Sequence, residues 1–555
     1  MKTTKFSSTK SIVFLCCIII ISLVSGCKKK DKKKGFSPDS SVYSSQNYSN
    51  LTLDSQTVVS FLKVNPISNS VSKEVVEFYS KRNNQLGWFN QNGMTCAASN
   101  FHNQLQNYSR DFADSSLNNK ALDVMMSSFE ADEKEFMSKI DDVEKLDLLL
   151  TVTFFKYAQK VYGGTTKSAF DYEWFIPRKK KDYQMVLDSL VSSALCEKLQ
   201  EPLNQQYIHL KDKLRQYRII QKKGGFPVIV TTKKIFVVGQ SDSSLLNIKQ
   251  HLLLSGDLKI NDKTIVYTDS LKTAVQLFQR RMGLLESGKI DKLTLQELNQ
   301  PIDFRIKQMM VNMERLRWIP EKMESNYLLI NIPEYRLHIF ENEKQIWQTN
   351  VVVGKAVTKT SIFKGNLSQI ILNPYWGIPT SIVRNEILPK LKRNANYLRI
   401  NNMEAFAGKE LINPNNINWN KYENSVPFDF RQKPGKDNAL GKMKFMFPNN
   451  YHIYLHDTPS KGHFGDTKRA FSHGCIRVEN PKKLAMYLLK NQPVWNEQKV
   501  DEVLETDTQT GIKVKPSIPV YIAYFTAWVD VNGQLNFRHD LYDLDSKLSR
   551  EVFGN

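Results

Sequence analysis

The sequence predicts a multidomain α+β protein, with a helical scaffold in its first half and a mostly β domain toward its C-terminus. Its 555 residues are enough for three or four domains. Apolar residues recur at helical spacing between residues 58 and 240, whereas apolar and polar residues alternate at strand spacing in parts of residues 326–545. A hydrophobic fraction of 41% and an aromatic fraction of 11% are typical of a globular chain.

The N-terminus predicts export. Lysines precede an apolar run over residues 12–24, which is short for a membrane span of about 20 residues. The sequence Ser25-Gly26-Cys27 follows, and the whole arrangement resembles a bacterial lipoprotein signal peptide. The resemblance implies removal of residues 1–26 and lipidation of Cys27, which would anchor the protein to a membrane, by expectation the outer one, on the periplasmic side of the cell envelope. A plain transmembrane anchor is the alternative.

A net charge of +21 restricts the partners. Residues 27–57 start with a lysine-rich run and continue with serine and asparagine, which predicts a flexible tether that either binds anionic headgroups or is simply solvated. We expect no nucleic-acid partner, because an exported lipoprotein rarely meets nucleic acid, and a basic surface favours anionic wall polymers. Cys96 and Cys196 can pair in an oxidising envelope or remain buried free thiols.

The first predicted domain, residues 58–240, is a helical scaffold. Val71, Val75, Phe78 and Tyr79 share one helical face there, as the buried face of a packed helix requires.

A second helical region covers residues 241–300. Its leucine, alanine and phenylalanine residues at helical spacing, with Gly283 and Gly288 between them, resemble a small helical peptidoglycan-binding module. A purely structural role for this region is the alternative. Residues 301–325 are predicted to hold a helix that returns to the scaffold.

The motif that carries chemistry is Ser472-His473-Gly474-Cys475, with His456 upstream. Cysteine is a strong nucleophile near neutral pH, and a nearby imidazole can lower its pKa and later protonate a leaving amine. Backbone N–H groups around Gly474 and Cys475 can form an oxyanion hole.

The flanking sequence predicts the geometry of this motif. Alternation from His452 to His456 predicts a strand on which Tyr454 and His456 share one face. Asn480 and Pro481 predict a helix start, which places Cys475 on a connection between a sheet and a helix.

Two other interpretations of this motif are open. Cys475 can be an ordinary buried thiol, although the surrounding histidines and glycine argue against this. His456, His463, His473 and Cys475 can in principle bind zinc, but their spacing matches no compact ligand pattern, and we predict no metal.

The motif around Cys475 resembles the signature of L,D-transpeptidases with a YkuD-type catalytic domain. The resemblance covers about residues 312–541, and further segments, in the order that the family has them, resemble its large YcbB-like members. Asp457 departs from the smaller members, which have Gly or Ser after the first His, and fits the YcbB-like group. The further segments are 371–379, 431–435, 438–441, 444–449 and 455–459.

This resemblance implies an enzyme that crosslinks peptidoglycan without a cofactor. Cys475 would attack the carbonyl of the third residue of a tetrapeptide stem, D-alanine would leave, and an amine of a neighbouring stem would resolve the thioester into a 3–3 crosslink. The resemblance further implies that penem-type β-lactams acylate the same cysteine.

The resemblance also assigns roles to other residues. His456 matches the general base, and His473 and Gly474 match positions that flank the nucleophile. Arg477 matches a recurrent arginine that holds a carboxylate or the local fold. Tyr454 and Trp376 match aromatic residues of the substrate groove.

Residues 379–434 interrupt the predicted catalytic domain, residues 326–545. A helix is predicted from Arg384 to Lys392, and residues 394–424 are rich in asparagine and charge. YcbB-like enzymes have a lid at this place, so the resemblance implies substrate gating. A surface loop without function is the alternative.

Two rival functions are open. An L,D-carboxypeptidase or endopeptidase would use the same thiol, with water in place of the acceptor amine. A non-catalytic lipoprotein that tethers the membrane to the wall would need only Cys27 and residues 241–300, although it would have no use for the pair His456 and Cys475.

Overall fold

The computed structural model describes residues 49–65, 67–178, 180–192 and 201–554. The predicted signal peptide, the lipidation site Cys27 and Cys196 lie outside these ranges. Cys96 is disulfide-bonded. Over the described ranges, no helix has the length and apolar character that crossing a bilayer requires.

The described residues divide into two compact units. One takes in those within 1–100, 119–155 and 187–197, and the other those within 101–118, 156–186 and 198–555. The second unit contains the candidate catalytic residues.

The elements up to residue 222 are mainly helical, as predicted. They are α1 (Ser55–Val64), α2 (Asn69–Lys81), β1 (Phe89–Asn90), β2 (Gly93–Met94), α3 (Cys96–Phe112), α4 (Lys120–Ala131), α5 (Glu133–Ser138), α6 (Ile140–Tyr157), β3 (Trp174–Phe175), α7 (Tyr183–Val191) and α8 (Gln205–Lys222). The predicted apolar face of α2 is buried. In the first unit, Asp147 accepts hydrogen bonds from the Tyr79 hydroxyl at 2.6 Å and the Trp88 backbone N–H at 2.7 Å. The tether was predicted to extend to residue 57, but Asp54 caps α1, which begins at Ser55. The last three residues of the predicted tether are therefore helical.

Four further helices precede the sheet. They are α9 (Ser244–Leu254), α10 (Asp269–Met282), α11 (Lys292–Leu298) and α12 (Ile302–Leu316). Helix α10 ends at Met282 and is capped by Gly283, whose φ of 69° is the left-handed conformation that closes many helices. Helix α12 packs against α8, where Arg218 Nη2 lies 3.8 Å from Met310 Sδ.

The remaining elements are mostly strands. They are β4 (Tyr327–Asn331), β5 (Arg336–Glu341), β6 (Lys344–Gly354), β7 (Ile362–Leu372), β8 (Trp376–Gly377), α13 (Thr380–Ile382), α14 (Leu388–Arg393), α15 (Tyr397–Ile400), β9 (Met403–Ala407), β10 (Glu410–Leu411), β11 (Asp429–Gln432), β12 (Met443–Met446), β13 (Leu455–His456), β14 (Ala470–Ser472), β15 (Ile476–Val478), α16 (Pro481–Leu489), α17 (Glu497–Glu505), β16 (Thr510–Ala523), β17 (Ala527–Val529), β18 (Leu535–Phe537) and α18 (Leu544–Phe553).

The largest sheet closes on itself. Its strand order is β12-β13-β15-β6-β5-β4-β16-β7, and β12 also pairs with β7, so these strands form a ring. Strand β3 adds to β7, and β14 adds to β6. Leu455, Ile476 and Phe445 are fully buried on the inner side of three neighbouring strands. A closed sheet leaves few strand edges to shift, which gives a rigid base for a site on its surface.

Residues 379–434, termed the insertion below, fold around their own small core. The predicted helix is present as α13, a π-helical turn over Val383–Ile387, and α14. These helical turns pack with β8–β11, which form a separate four-stranded sheet. The buried core residues are Val383, Ile387, Leu388, Leu391, Leu398, Ala405, Trp419 and Phe430, together with Ile378 just before the insertion.

Two local predictions around the nucleophile were wrong. The predicted strand from His452 to His456 shortens to β13, because His452 adopts a φ of 54°, outside the range of a strand. Cys475 lies in the turn between β14 and β15, and β15 separates it from α16. Helix α16 does begin at Pro481, with Asn480 at the N-cap position, but the Asn480 side chain donates to Thr349 Oγ1 at 3.0 Å and does not cap the helix.

Candidate active site

The turn that carries Cys475 is fixed by its own serine. Ser472 Oγ donates to the Cys475 carbonyl at 2.6 Å and accepts a hydrogen bond from the Gly474 N–H at 3.1 Å. Gly474 has a φ of 118°, which a residue with a Cβ rarely adopts. The Gly474 N–H is therefore already engaged, and of the two N–H groups expected to form an oxyanion hole, that of Cys475 is the available one.

Two threonine side chains outside this turn hold its backbone by hydrogen bonds. Thr360 Oγ1 donates to the Gly474 carbonyl at 2.8 Å, and Thr358 Oγ1 donates to the Ser472 carbonyl at 3.0 Å. Thr360 Oγ1 in turn accepts from the Gly354 N–H at 2.9 Å. The backbone of the nucleophile turn is thus attached to the end of β6 and the loop that follows it.

Strand register places the polar residues on one face of the sheet. Lys444 pairs with His456 across β12 and β13, and His456 pairs with Arg477 across β13 and β15. Residues opposite one another in a sheet point to the same side, and so do residues two apart along an extended chain. Because the Ile476 N–H donates to the Tyr454 carbonyl at 3.1 Å, Tyr454 and Cys475 continue this register. We call Lys444, Tyr454, His456, Cys475 and Arg477 the catalytic face.

The Cys475 side chain is partly buried. It donates to the His452 carbonyl at 3.6 Å, and Tyr454 hydrogen-bonds with its sulfur. Burial raises the pKa of the Cys475 thiol, and the hydrogen bonds from Tyr454 and the charge of Lys444 only partly oppose this rise. The expectation of a lowered thiol pKa is therefore not met in the resting site.

His456 is held as a neutral imidazole. It is 5% exposed, and its Nδ1–H donates to the Asp457 carbonyl at 2.5 Å. Burial, together with the charges of Arg477, Lys444 and Lys461, lowers the pKa of His456 to about 3. With the proton fixed on Nδ1, the lone pair lies on Nε2, which makes that nitrogen the proton acceptor.

Lys444 was not identified from the sequence as a site residue. Its Nζ lies 3.9 Å from the centroid of the Tyr454 ring, and its ammonium interacts electrostatically with the Cys475 sulfur. Burial lowers the pKa of Lys444. Its sequence signal is a charged residue between Met443 and Phe445 in an otherwise apolar strand, which places the charge on the face opposite the core.

Arg477 has a buried donor. Within the described residues its Nε has no hydrogen-bond partner, and burial lowers the pKa of its guanidinium. A buried donor without a partner is costly, and an incoming acceptor would remove that cost.

His473 points away from the catalytic face. Its Nε2 lies 2.9 Å from Glu386 Oε1 of the insertion, and the two side chains are 45% and 46% exposed. The structure thus separates the two histidines that the sequence places together: His456 belongs to the buried sheet surface, and His473 contacts the insertion.

Trp376 joins the site through Tyr454. It lies on β8 and packs partly buried against the core of the insertion. A hydrogen bond joins its side chain to that of Tyr454. The two predicted groove aromatics therefore contact each other, and the Tyr454 ring lies 5.7 Å from the His456 ring.

The histidines and cysteine considered for zinc do not converge. His463 is exposed, pairs with Asp466 at 3.1 Å and contacts the Phe471 ring at 4.7 Å. Across the described part of the chain, no group of three or more His, Cys, Asp or Glu side chains has the arrangement of a metal site.

Two parts of the chain match known families. Residues 325–495 match YkuD, the L,D-transpeptidase catalytic domain, and residues 73–214 match a family described as a scaffold domain. Both matches agree with the helical and mostly β regions described above.

One curated relative is a Haemophilus influenzae protein named provisionally as an L,D-transpeptidase. It is 34% identical over 244 residues, which are 44% of this chain and 49% of the relative. The chain therefore spans about half the length of the curated relative that it matches.

Solved structures of two L,D-transpeptidases also align with the chain. The Xylanimonas cellulosilytica protein is 13% identical, with 53% of this chain and 100% of that chain covered and a TM-score of 0.17. The Stackebrandtia nassauensis protein is 14% identical, with 53% and 97% covered and a TM-score of 0.22.

Proposed function

We propose that this chain, whose residues 325–495 are a YkuD-type L,D-transpeptidase catalytic domain, forms 3–3 crosslinks in peptidoglycan through a thioester on Cys475. The observation that carries the proposal is the catalytic face. It combines a thiol in a fixed turn with a neutral imidazole whose Nε2 is the proton acceptor.

Acylation starts from two neutral groups. As the Cys475 sulfur attacks the carbonyl carbon of the third stem residue, His456 Nε2 takes the thiol proton. The resulting imidazolium then gives this proton to the amine of the departing D-alanine, which leaves a thioester. Because the thiol pKa is raised and the imidazole pKa is lowered, proton transfer accompanies attack and does not precede it.

The second half of the reaction exchanges the acyl group. An amine on a neighbouring stem attacks the thioester carbonyl, and His456 Nε2 accepts the proton of that amine. The bond between the carbonyl carbon and the Cys475 sulfur then breaks, and His456 returns the proton to the sulfur. The Cys475 N–H stabilises the oxyanion in both halves. Lys444 stabilises negative charge on the sulfur whenever it develops.

Arg477 and two aromatic residues supply substrate contacts in this proposal. The unpartnered Arg477 Nε suits a stem carboxylate or carbonyl. The hydrogen-bonded rings of Tyr454 and Trp376 offer an apolar wall beside the sulfur.

The insertion gates the site in this proposal. Its own core lets it move as a body, and the ion pair of Glu386 with His473 joins it to the nucleophile turn. We also propose that residues 241–300 bind peptidoglycan and that a lipid on Cys27 holds the protein in the cell envelope.

Hydrolysis is the second candidate function. The same acyl-enzyme would release a tripeptide if water replaced the amine, so the catalytic face supports an L,D-carboxypeptidase or endopeptidase equally well up to the thioester. A non-catalytic tether would need none of the residues of the catalytic face, which argues against that function.

Mass spectrometry of products distinguishes these functions. The purified protein is incubated with disaccharide-tetrapeptide stems, beside a Cys475→Ala control. Crosslinked dimers that lack one D-alanine, together with a transient thioester on Cys475, would support transpeptidation. Free tripeptide alone would support hydrolysis. Unchanged stems, with no adduct on Cys475, would support the non-catalytic tethering function.

A further inference from the structure

A large cleft lies in the second unit, and neither Cys475 nor His456 lines it. Its volume is about 2000 Å³, and its walls come from α8, the end of α10, β5, residues 464–469 and residues 521–541. A cavity of this size accommodates a ligand far larger than a single amino acid.

Three guanidinium groups meet at this cleft. Arg336, Arg469 and Arg538 all line it. Burial lowers the pKa of Arg538 to about 10; the charges of Arg336 and Arg469 add to this fall, and the charge of Glu334 opposes it. Burial and the charge of Arg336 also lower the pKa of Arg469. The three cations therefore repel one another.

The hydrogen bonds of the three arginines differ. Arg469 is structural: it donates to the carbonyls of Val351 at 3.3 Å, Asp466 at 2.6 Å and Tyr335 at 3.0 Å. Arg538 Nη1 donates to the carbonyls of Arg281 at 2.8 Å and Phe537 at 2.7 Å, and the described residues offer its Nε and Nη2 no acceptor. Arg336 donates to no described group, so an entire guanidinium is available.

Nearby carboxylates offset the charge of this cluster only in part. The charge of Glu334 raises the pKa of Arg538 and of Arg469, and Glu479 also raises that of Arg469. Glu334 Oε2 nevertheless has other hydrogen-bond partners, His338 Nε2 at 2.9 Å and Asn331 Nδ2 at 3.3 Å. Asp540 accepts the Tyr524 hydroxyl at 2.6 Å and N–H groups at the start of α18. Each carboxylate thus has its own partners.

We propose that this arginine cleft binds a ligand with an oxyanion group, a carboxylate or a phosphate, held by the free N–H groups of Arg336 and Arg538. Guanidinium groups match both oxyanions with paired, charge-assisted hydrogen bonds. Such a ligand would relieve the repulsion among the three arginines and satisfy donors that the protein leaves unused. This site is separate from the catalytic face and does not depend on the proposed acyl transfer.

Titration calorimetry of the whole protein tests this site. Inorganic phosphate and glutarate serve as probes of the two oxyanions, at constant ionic strength. We expect saturable binding at one site and a roughly tenfold loss of affinity in Arg336→Gln. Lys344→Gln removes the same charge from an exposed residue of the same cleft and should change affinity less than about twofold.

Comparison of the probes identifies the source of the oxyanion. Tighter binding of glutarate points to a carboxylate ligand, and tighter binding of phosphate points to a phosphate ligand; either supports the site. Failure of both probes to bind would overturn the proposal, as would equal losses in Arg336→Gln and Lys344→Gln. Arg336→Lys keeps the positive charge but lacks the paired N–H donors of a guanidinium, so its affinity for the probe should lie between those of wild type and Arg336→Gln. Full retention of affinity in Arg336→Lys would argue against recognition by paired hydrogen bonds.

Discussion

The catalytic face and the insertion are held together in different ways. On the catalytic face, strand pairing and hydrogen bonds to the backbone position the side chains; His456 is buried, and Cys475 and Lys444 are partly buried. The insertion has a separate sheet and a separate core, and its Glu386 meets the nucleophile turn in an exposed ion pair with His473.

Under the proposed function, the catalytic face carries the chemistry and the insertion controls access of substrate to it. Buried groups with shifted pKa values carry large energies, whereas an ion pair that is nearly half exposed is worth little because water screens it. Changes on the catalytic face should therefore abolish or strongly slow acylation, and changes at the ion pair should only modulate it.

The largest effect is expected at the nucleophile. Cys475→Ala should abolish acylation by tetrapeptide stems and by penem-type β-lactams, since the described residues place no other thiol on the catalytic face. Intact-mass measurement of adducts checks this, with unchanged circular dichroism as the folding control. A remaining adduct of wild-type yield would show that the nucleophile is elsewhere.

The next effect is expected at His456. His456→Ala should slow single-turnover acylation by roughly 10²–10⁴-fold, the range for loss of a general base. His456→Gln should be nearly as slow, because an amide does not accept a proton at neutral pH. His463→Ala is the matched control, being an exposed histidine of the same region. Wild-type speed in His456→Ala, with an inactive His473→Ala, would reverse the roles of the two histidines.

Lys444 should have an intermediate effect. Lys444→Met keeps the length of the side chain but removes the charge that lowers the pKa of Cys475, so the midpoint for alkylation by iodoacetamide should move to higher pH. A shift of about one pKa unit corresponds to about tenfold less thiolate at a fixed pH. Lys490→Met, which alters an exposed lysine paired with Glu341, is the control. If the alkylation midpoint of Cys475 did not move, Lys444 would have no electrostatic effect on the thiol.

The ion pair should have a small effect. Glu386→Gln and His473→Gln should each change the acylation rate by about two- to fivefold, because exposed pairs contribute about 0.2–1 kcal/mol. The double variant should resemble the single ones, since both remove the same contact. Glu423→Gln, an exposed change within the insertion, should match wild type. Full additivity of the two single changes would show that the residues act independently.

The smallest change is expected with pH. Because the pKa of His456 is lowered to about 3, its imidazole stays unprotonated as pH falls from about 7.5 to 5, and acylation by a neutral substrate should stay nearly constant. A histidine with the ordinary pKa of about 6.5 would be mostly protonated at pH 5 and would lose activity over the same interval. A rate profile that falls with a midpoint near the ordinary value would contradict a buried, neutral base.

The sequence alone identified the candidate residues of the site and much of the local structure. Residue types at fixed spacing identified Cys475 and His456 as candidates, and alternation placed Tyr454 and His456 on one face, because side-chain direction in an extended chain follows from backbone geometry. The helical face of α2 and the start of α16 at Pro481 were likewise local properties.

Only the tertiary structure decided which residues meet. Lys444 shares a face with Cys475 because β12 pairs with β13 and β13 pairs with β15. His473 meets Glu386, which lies 87 positions earlier in the sequence (473 minus 386), and no local rule connects them. The left-handed φ of His452, which shortens the predicted strand, and the Ser472 hydrogen bond that engages the Gly474 N–H depend on the fold around them. Burial sets the pKa values of Cys475 and His456, and burial is a property of the assembled chain, not of a motif.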